Sequence, residues 1–194
     1  MAIAQEARSG DQLVALETRM SELEARYEKR IEELEAKLPD DRVTIVCFSG
    51  ELDKAMAAFI IATGALAMGY ECSMYFTFWG LSVIKEQAET AGKSFMEKMF
   101  TMMLPENMDK LGISKMNFAG AGAKMMRGIM ESKGVATLDE LMEVAQEMGV
   151  RIISCTMAMD IMGVTDEEMR PDLDRGGVGT FLGDAFKSKA TLFI

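Results

Sequence analysis

Along residues 11–38 the apolar side chains Leu13, Leu16, Met20, Leu23, Tyr27, Ile31, Leu34 and Leu38 recur, and acids and bases fill most of the positions between them. Spacings of three and four alternate, apart from a doubled four between Tyr27 and Ile31, which is a heptad pattern with one slip. This predicts an amphipathic helix, and Glu22 with Arg26 and Glu33 with Lys37 add acid-to-base pairs one turn apart. Its apolar stripe needs cover, either from another subunit in a coiled coil or from the helix's own domain. Pro39-Asp40-Asp41 closes the segment, so the chain divides into an N-terminal helix over 1–40, read as a coiled coil, and an α/β domain over 41–194.

Beyond the proline the period changes. Residues 42–48 form an apolar run of the kind found in parallel strands buried on both faces. Ser49-Gly50-Glu51-Leu52-Asp53-Lys54 then reads as a tight turn opening a helix to about Met68, Gly69 stops it, and residues 70–77 form a second strand. That succession is a βαβ unit. The only formal charge over residues 55–84 is Glu71, so the stretch has the apolarity of a membrane span. Gly64, Gly69, Glu71 and the strand-like Tyr75-Phe76-Thr77-Phe78 interrupt it, and buried α/β elements are the simpler reading. Membrane contact is left open and is not favoured.

Residues 85–113 are rich in methionine, with Phe95, Met96, Met99, Phe100 and Met103 at helical spacing, expected to fill irregular core or a subunit interface. A third strand is expected over 115–119, leading through Gly120-Ala121-Gly122-Ala123 into a helix over about 124–132. The glycine pair lacks the third glycine of a dinucleotide loop, since Met125 stands there. Thr137-Leu138-Asp139-Glu140 is a capping box for a helix with Leu138, Leu141, Ala145 and Met148 on one face, ended by Gly149. Thr165-Asp166-Glu167-Glu168 repeats the box, Gly176-Gly177-Val178-Gly179 leads into a helix to about Ser188, and residues 190–194 are a last apolar strand. The expected fold is α/β: a doubly wound, mostly parallel sheet of about five strands, preceded by the heptad helix.

Composition narrows the chemistry. Hydrophobic residues at 49% with 27% charged residues describe a globular chain. A net charge of −10 argues against nucleic acid and anionic lipid as partners. There is no histidine, which removes Ser-His and Cys-His mechanisms and the commonest metal ligand. The three cysteines, Cys47, Cys72 and Cys155, are too far apart for C-x-x-C chemistry, so neither a disulfide framework, a metal site nor a cofactor is expected. The N-terminus shows no basic segment followed by an apolar one, and a cytoplasmic, reducing location fits best.

Candidate chemistry centres on residues 149–160. Val150, Ile152 and Ile153 form a short β-branched strand that delivers Cys155 to the head of a helix, with Thr156 expected as N-cap. Unpaired amides and the helix dipole there favour a thiolate, the nucleophilic form. A small buried hydrophobe is the alternative for Cys155, and Cys47 and Cys72 inside strands are read as core. The strands' carboxyl ends carry Ser49, Gly50, Phe78, Trp79, Gly80, Gly120 and Cys155, expected to converge on one edge with Thr156 and Met157 beside them.

Four stretches carry a resemblance: Phe48-Ser49-Gly50-Glu51-Leu52-Asp53-Lys54, Phe78-Trp79-Gly80-Leu81, Lys115-Met116-Asn117-Phe118, and Ser154-Cys155-Thr156-Met157-Ala158-Met159-Asp160-Ile161-Met162-Gly163. Together they resemble the DsrE/DsrF-like family of small sulfur-relay proteins, in the long subgroup labelled peroxiredoxin-like, over about residues 42–194. The resemblance implies a sulfurtransferase-like carrier with a persulfide on Cys155, sulfur donor and acceptor proteins as partners, and a homo-oligomer, trimer or hexamer. The N-terminal helix is outside the family pattern. A small-anion or nucleotide binding module with a redox-sensing Cys155, and an oligomeric scaffold, are the competing readings. Peroxidase chemistry is disfavoured, because Arg151 is the only arginine near Cys155 in sequence and no resolving cysteine is evident.

Overall fold

The computed structural model describes residues 2–194, with side chains from residue 15 onward, so the heptad position Leu13 lies outside the described side chains. Two units emerge, Met1–Leu38 and Pro39–Ile194. The first is one helix, α1 (Ala2–Glu35). Its apolar stripe stands open, with Leu16, Met20, Leu23, Tyr27, Ile31 and Leu34 all exposed.

The second unit is built on five parallel strands. They are β1 (Asp40–Cys47), β2 (Glu71–Phe76), β3 (Arg151–Cys155), β4 (Asp174–Gly176) and β5 (Ser188–Phe193), in the order β4-β3-β2-β1-β5. Thr44 to Cys47 of β1, an interior strand between β2 and β5, are all buried, which is why β1 reads as an unbroken run in place of an alternation. The polar Thr44 survives there because its hydroxyl bonds those of Ser73 at 3.0 Å and Ser188 at 2.8 Å, linking β2, β1 and β5 through the core.

Helices cover both faces. On one lie α2 (Leu52–Ala67) and, beside it, α5 (Leu138–Glu147). Buried Ala55, Ala58 and Ala62 let α2 approach the sheet closely, and Phe59 meets Phe76 with ring centroids 6.0 Å apart. The other face takes α7 (Val178–Ala185), whose Phe181 ring lies 5.7 Å from that of Tyr75. Neighbouring residues 75 and 76 point to opposite sides of β2, so these two aromatic pairs identify the two faces. Between β2 and β3 the chain also forms α3 (Phe95–Met103) and α4 (Ala121–Lys133), and α6 (Thr156–Met162) follows β3.

Several expectations are corrected. Residues 115–119 are not a strand: Met116, Phe118 and Ala119 all take positive φ, and the chain forms a tight turn and a 3-10 turn, Phe118–Gly120. Gly120 therefore stands at no strand end; with φ +94 it is the N-cap of α4. The buried face of α5 is Leu138, Met142 and Ala145, whereas Met148 is exposed beyond the helix end. Of the α3 side chains expected in irregular core or a subunit interface, Phe95, Met96, Met99 and Met103 are exposed in this chain, which takes them out of its core and does not bear on an interface. Among the described residues, no helix is long and apolar enough to cross a membrane.

Candidate active site at the carboxyl edge of the sheet

Because all five strands are parallel, their carboxyl ends share one edge. Aromatic rings line its β5-β1-β2 side. Phe48, just past β1, stacks on Phe193 at 5.7 Å and leans on Phe78 at 5.6 Å. Phe78 opens the 3-10 turn Phe78–Val83 with φ 48, a left-handed conformation that is costly for a bulky residue. Trp79 is 44% exposed, which makes it a surface group of this edge and not a core plug.

Gly50 and Gly80 allow the turn to sit on the end of β1. A Cβ on Gly50 would fall 2.6 Å from the Trp79 carbonyl oxygen, and Gly80 N donates to the Phe48 carbonyl at 2.8 Å. Ser49 N donates to the Ile194 carbonyl at 3.2 Å, and its hydroxyl accepts from Lys54 Nζ at 3.0 Å. Ser49, Gly50, Phe78, Trp79 and Gly80 are thus brought together, while Gly120 belongs to the head of α4.

Cys155 ends β3, opposite Gly176 of β4, and is itself the N-cap of α6, with φ −75 and ψ 109. Thr156, expected in that role, is the first helical residue instead. The thiol is 3% exposed, whereas Thr156 and Met157 beside it face solvent. Tyr75 of β2, one strand over, reaches the same place. Its hydroxyl donates to the Gly176 carbonyl at 3.1 Å, and Cys155 is near enough to bear on its ionisation. Burial first, and Cys155 second, push the phenol's pKa well up, so Tyr75 holds its proton and acts as a donor at neutral pH. The other two thiols sit within the sheet. Burial raises Cys72 to about 11 and pushes Cys47 higher still.

An open cleft of about 600 Å³ runs beside the head of α6, bounded by Thr156, Met159, Asp160, Lys93, Glu97 and Arg175 among others. Behind it lies a group that sequence reading missed. Glu168 is wholly buried, yet accepts from Lys93 Nζ at 2.6 Å and from the Thr165 and Glu89 amides at 2.8 and 2.9 Å, with Lys85 Nζ at 3.5 Å. Burial alone would raise its pKa, but these donors outweigh that and hold it below 4.5. Lys85, also wholly buried, has its pKa lowered by desolvation against the pull of Glu168. The capping box at Thr165 was the only sequence signal here, and such a box ordinarily marks a surface glutamate. Tyr75 and Gly176 were missed because their closeness to Cys155 depends on strand order.

The profile of the DsrE/DsrF/DrsH-like family matches residues 39–193. This chain belongs to that family. The match takes in the whole sheet, Cys155 and the aromatic edge, and leaves α1 outside. Among curated relatives, an uncharacterized protein YrkE of Bacillus subtilis is 49% identical over 154 residues, covering 79% of this chain and 96% of that protein. The sulfur carrier protein DsrE2 of Allochromatium vinosum is 33% identical over 157 residues, covering 79% of this chain and 98% of its own. Among solved structures, the ychN protein from E. coli aligns with a TM-score of 0.49 at 7% identity, over 79% of this chain and 98% of that one.

Proposed function

We propose that this protein is a cytoplasmic sulfur-relay protein that carries a persulfide on Cys155 and passes the outer sulfur between protein partners. The carrying observation is the position of Cys155, the terminal residue of β3 and the N-cap of α6 at the sheet edge where ligands enter this class of fold. A relative named as a sulfur carrier, 33% identical, supports the same reading.

The step balances without an external oxidant. The Cys155 thiolate attacks the outer sulfur of a donor persulfide; the donor's S–S bond breaks, the donor leaves as a thiolate, and Cys155 bears the persulfide. An acceptor thiolate then attacks that outer sulfur and Cys155 leaves as the thiolate. Cys155 takes up and gives away the sulfur at the head of α6, beside Tyr75, whose hydroxyl keeps its proton at neutral pH. Ser49, Gly50, Phe78, Trp79, Gly80, Thr156 and Met157 form the mouth that a partner meets, and the working form is a homo-oligomer.

An anion-binding role for the cleft has less support. Glu97, Asp160, Asp166 and Glu167 face Lys93 and Arg175 there, and those two cations are already paired with Glu168 and Asp166. Incubation with a persulfide donor tests the proposal: mass spectrometry should find one added sulfur on the Cys155 peptide, transferable to a carrier thiol and absent from Cys155→Ser. Loading without transfer to any carrier protein would turn the reading towards a sensor.

A further inference from the structure

The open stripe of α1 carries its own charge code. In the heptad frame Leu16, Leu23 and Leu34 occupy d, and Met20, Tyr27 and Ile31 occupy a, the slip falling between Tyr27 and Ile31. All six are exposed, from 43% at Leu23 to 66% at Tyr27. Positions g, which flank the stripe on one side, are Arg19, Arg26 and Arg30; positions e on the other are Glu17, Glu24 and Glu35. The outward f positions are Thr18 and Ala25. One flank is wholly basic and the other wholly acidic.

We infer that α1 is a homotypic, parallel, in-register coiled coil whose partner is the same helix of a second copy of this chain. In a parallel pair a g residue faces the e residue five positions on in its neighbour, so Arg19 meets Glu24 of the second copy and Arg30 meets Glu35, while Arg26 falls at the slip and has no such partner position. Both are opposite-charge pairs and both occur in each direction across the interface. In an antiparallel pair g faces g and e faces e, which sets arginine against arginine and glutamate against glutamate. The code therefore attracts in one orientation and repels in the other. The Arg30–Glu33 pair within one helix, at 3.2 Å with both groups well exposed, is weak enough for Arg30 to exchange it for Glu35 of the second copy. A parallel coil brings the Leu38 ends of its helices together, so every copy of the following unit starts from the same end of the coil. This inference is independent of the chemistry at Cys155.

Charge reversal in the full chain tests it. Glu24→Arg with Glu35→Arg gives one protein, and Arg19→Glu with Arg30→Glu gives another. In low salt each alone should assemble at least tenfold more weakly than the natural chain, and an equal mixture should recover natural assembly, as read by analytical ultracentrifugation. These side chains are exposed, so circular dichroism should show both proteins folded. Leu34→Cys, at d, should form a cross-chain disulfide under mild copper-phenanthroline oxidation, while Ala25→Cys, at f, should not; the three natural cysteines are buried. A natural chain that sediments at its single-chain mass of 21.4 kDa at all concentrations overturns the inference. So does assembly indifferent to the reversals, or cross-linking at 25 equal to that at 34.

Discussion

A Cβ on Gly80 would lie 2.1 Å from the carbonyl oxygen of Cys47. No side chain fits in that gap, and the neighbour is backbone at the end of the interior strand β1, so it cannot swing aside. The turn carrying Phe78 and Trp79 is thereby seated on the end of β1 by one glycine. Gly80→Ala should cost about 1–3 kcal/mol, as overpacking does elsewhere in protein cores. Chemical denaturation would measure this, with a lowered urea midpoint and an altered Trp79 emission expected together. An unchanged midpoint would mean the turn moves freely off β1.

Glu168 gives a stability term that depends on pH. Its pKa is held below the ordinary 4.5, so the term is present above that value and is lost as pH falls through the lower, folded value. Natural protein should lose stability on acidification below about pH 4.5 more steeply than Glu168→Gln. Lys85 contributes in the alkaline range. Its folded pKa lies below 10.5, so stability rises as pH climbs from the folded value towards 10.5. Glu168→Ala leaves two lysines buried without their shared carboxylate and should cost about 3–5 kcal/mol. Thermal melts across pH 3–11 check all three points.

How much of this was legible beforehand follows the range of the interactions. The capping boxes at Thr137 and Thr165, the stop at Gly69 and the buried strand β1 are encoded within a few residues, and each was found. The strand β4 is three residues long, Asp174–Gly176, too short for any periodicity. Residues 115–119 looked extended, but the chain turns there and seats Gly122 on the Met116 carbonyl, where a Cβ would lie 2.0 Å away, a close approach that only glycine permits. Cys155 was placed correctly at a strand end before a helix, while its burial and its neighbour Tyr75 arise from strand pairing. Lys85 and Glu168 meet through an antiparallel bridge between Lys85 and Met169, which no local pattern announces.

Tyr75 offers a gentler probe of the same neighbourhood. Its hydroxyl holds the Gly176 carbonyl close to Cys155, so Tyr75→Phe removes a buried donor without changing the packing of the ring on Phe181. Stability should fall by about 0.5–1.5 kcal/mol, the usual net value of one hydrogen bond. The rate of Cys155 alkylation should change by more than that loss of stability explains. Equal effects on both would make Tyr75 purely structural.

Cys155 is 3% exposed, and this shapes what its reactivity should look like. A reagent or partner can reach Sγ only when its cover opens, so alkylation should be slow compared with a free thiol and limited by that opening. Cys47 and Cys72 are equally covered, and burial pushes both thiols' pKa up, Cys72 to about 11 and Cys47 beyond it. Cys47 ends β1 as Cys155 ends β3, and Cys72 borders an open pocket at the start of β2, so what sets Cys155 apart is its place at the head of α6. At pH 8 the label should therefore appear first on Cys155, with Cys47 and Cys72 following more slowly. Peptide mapping over a time course reads the order directly. Label appearing first on Cys47 or Cys72, or sulfur loading that persists in Cys155→Ser, would remove Cys155 from its proposed role.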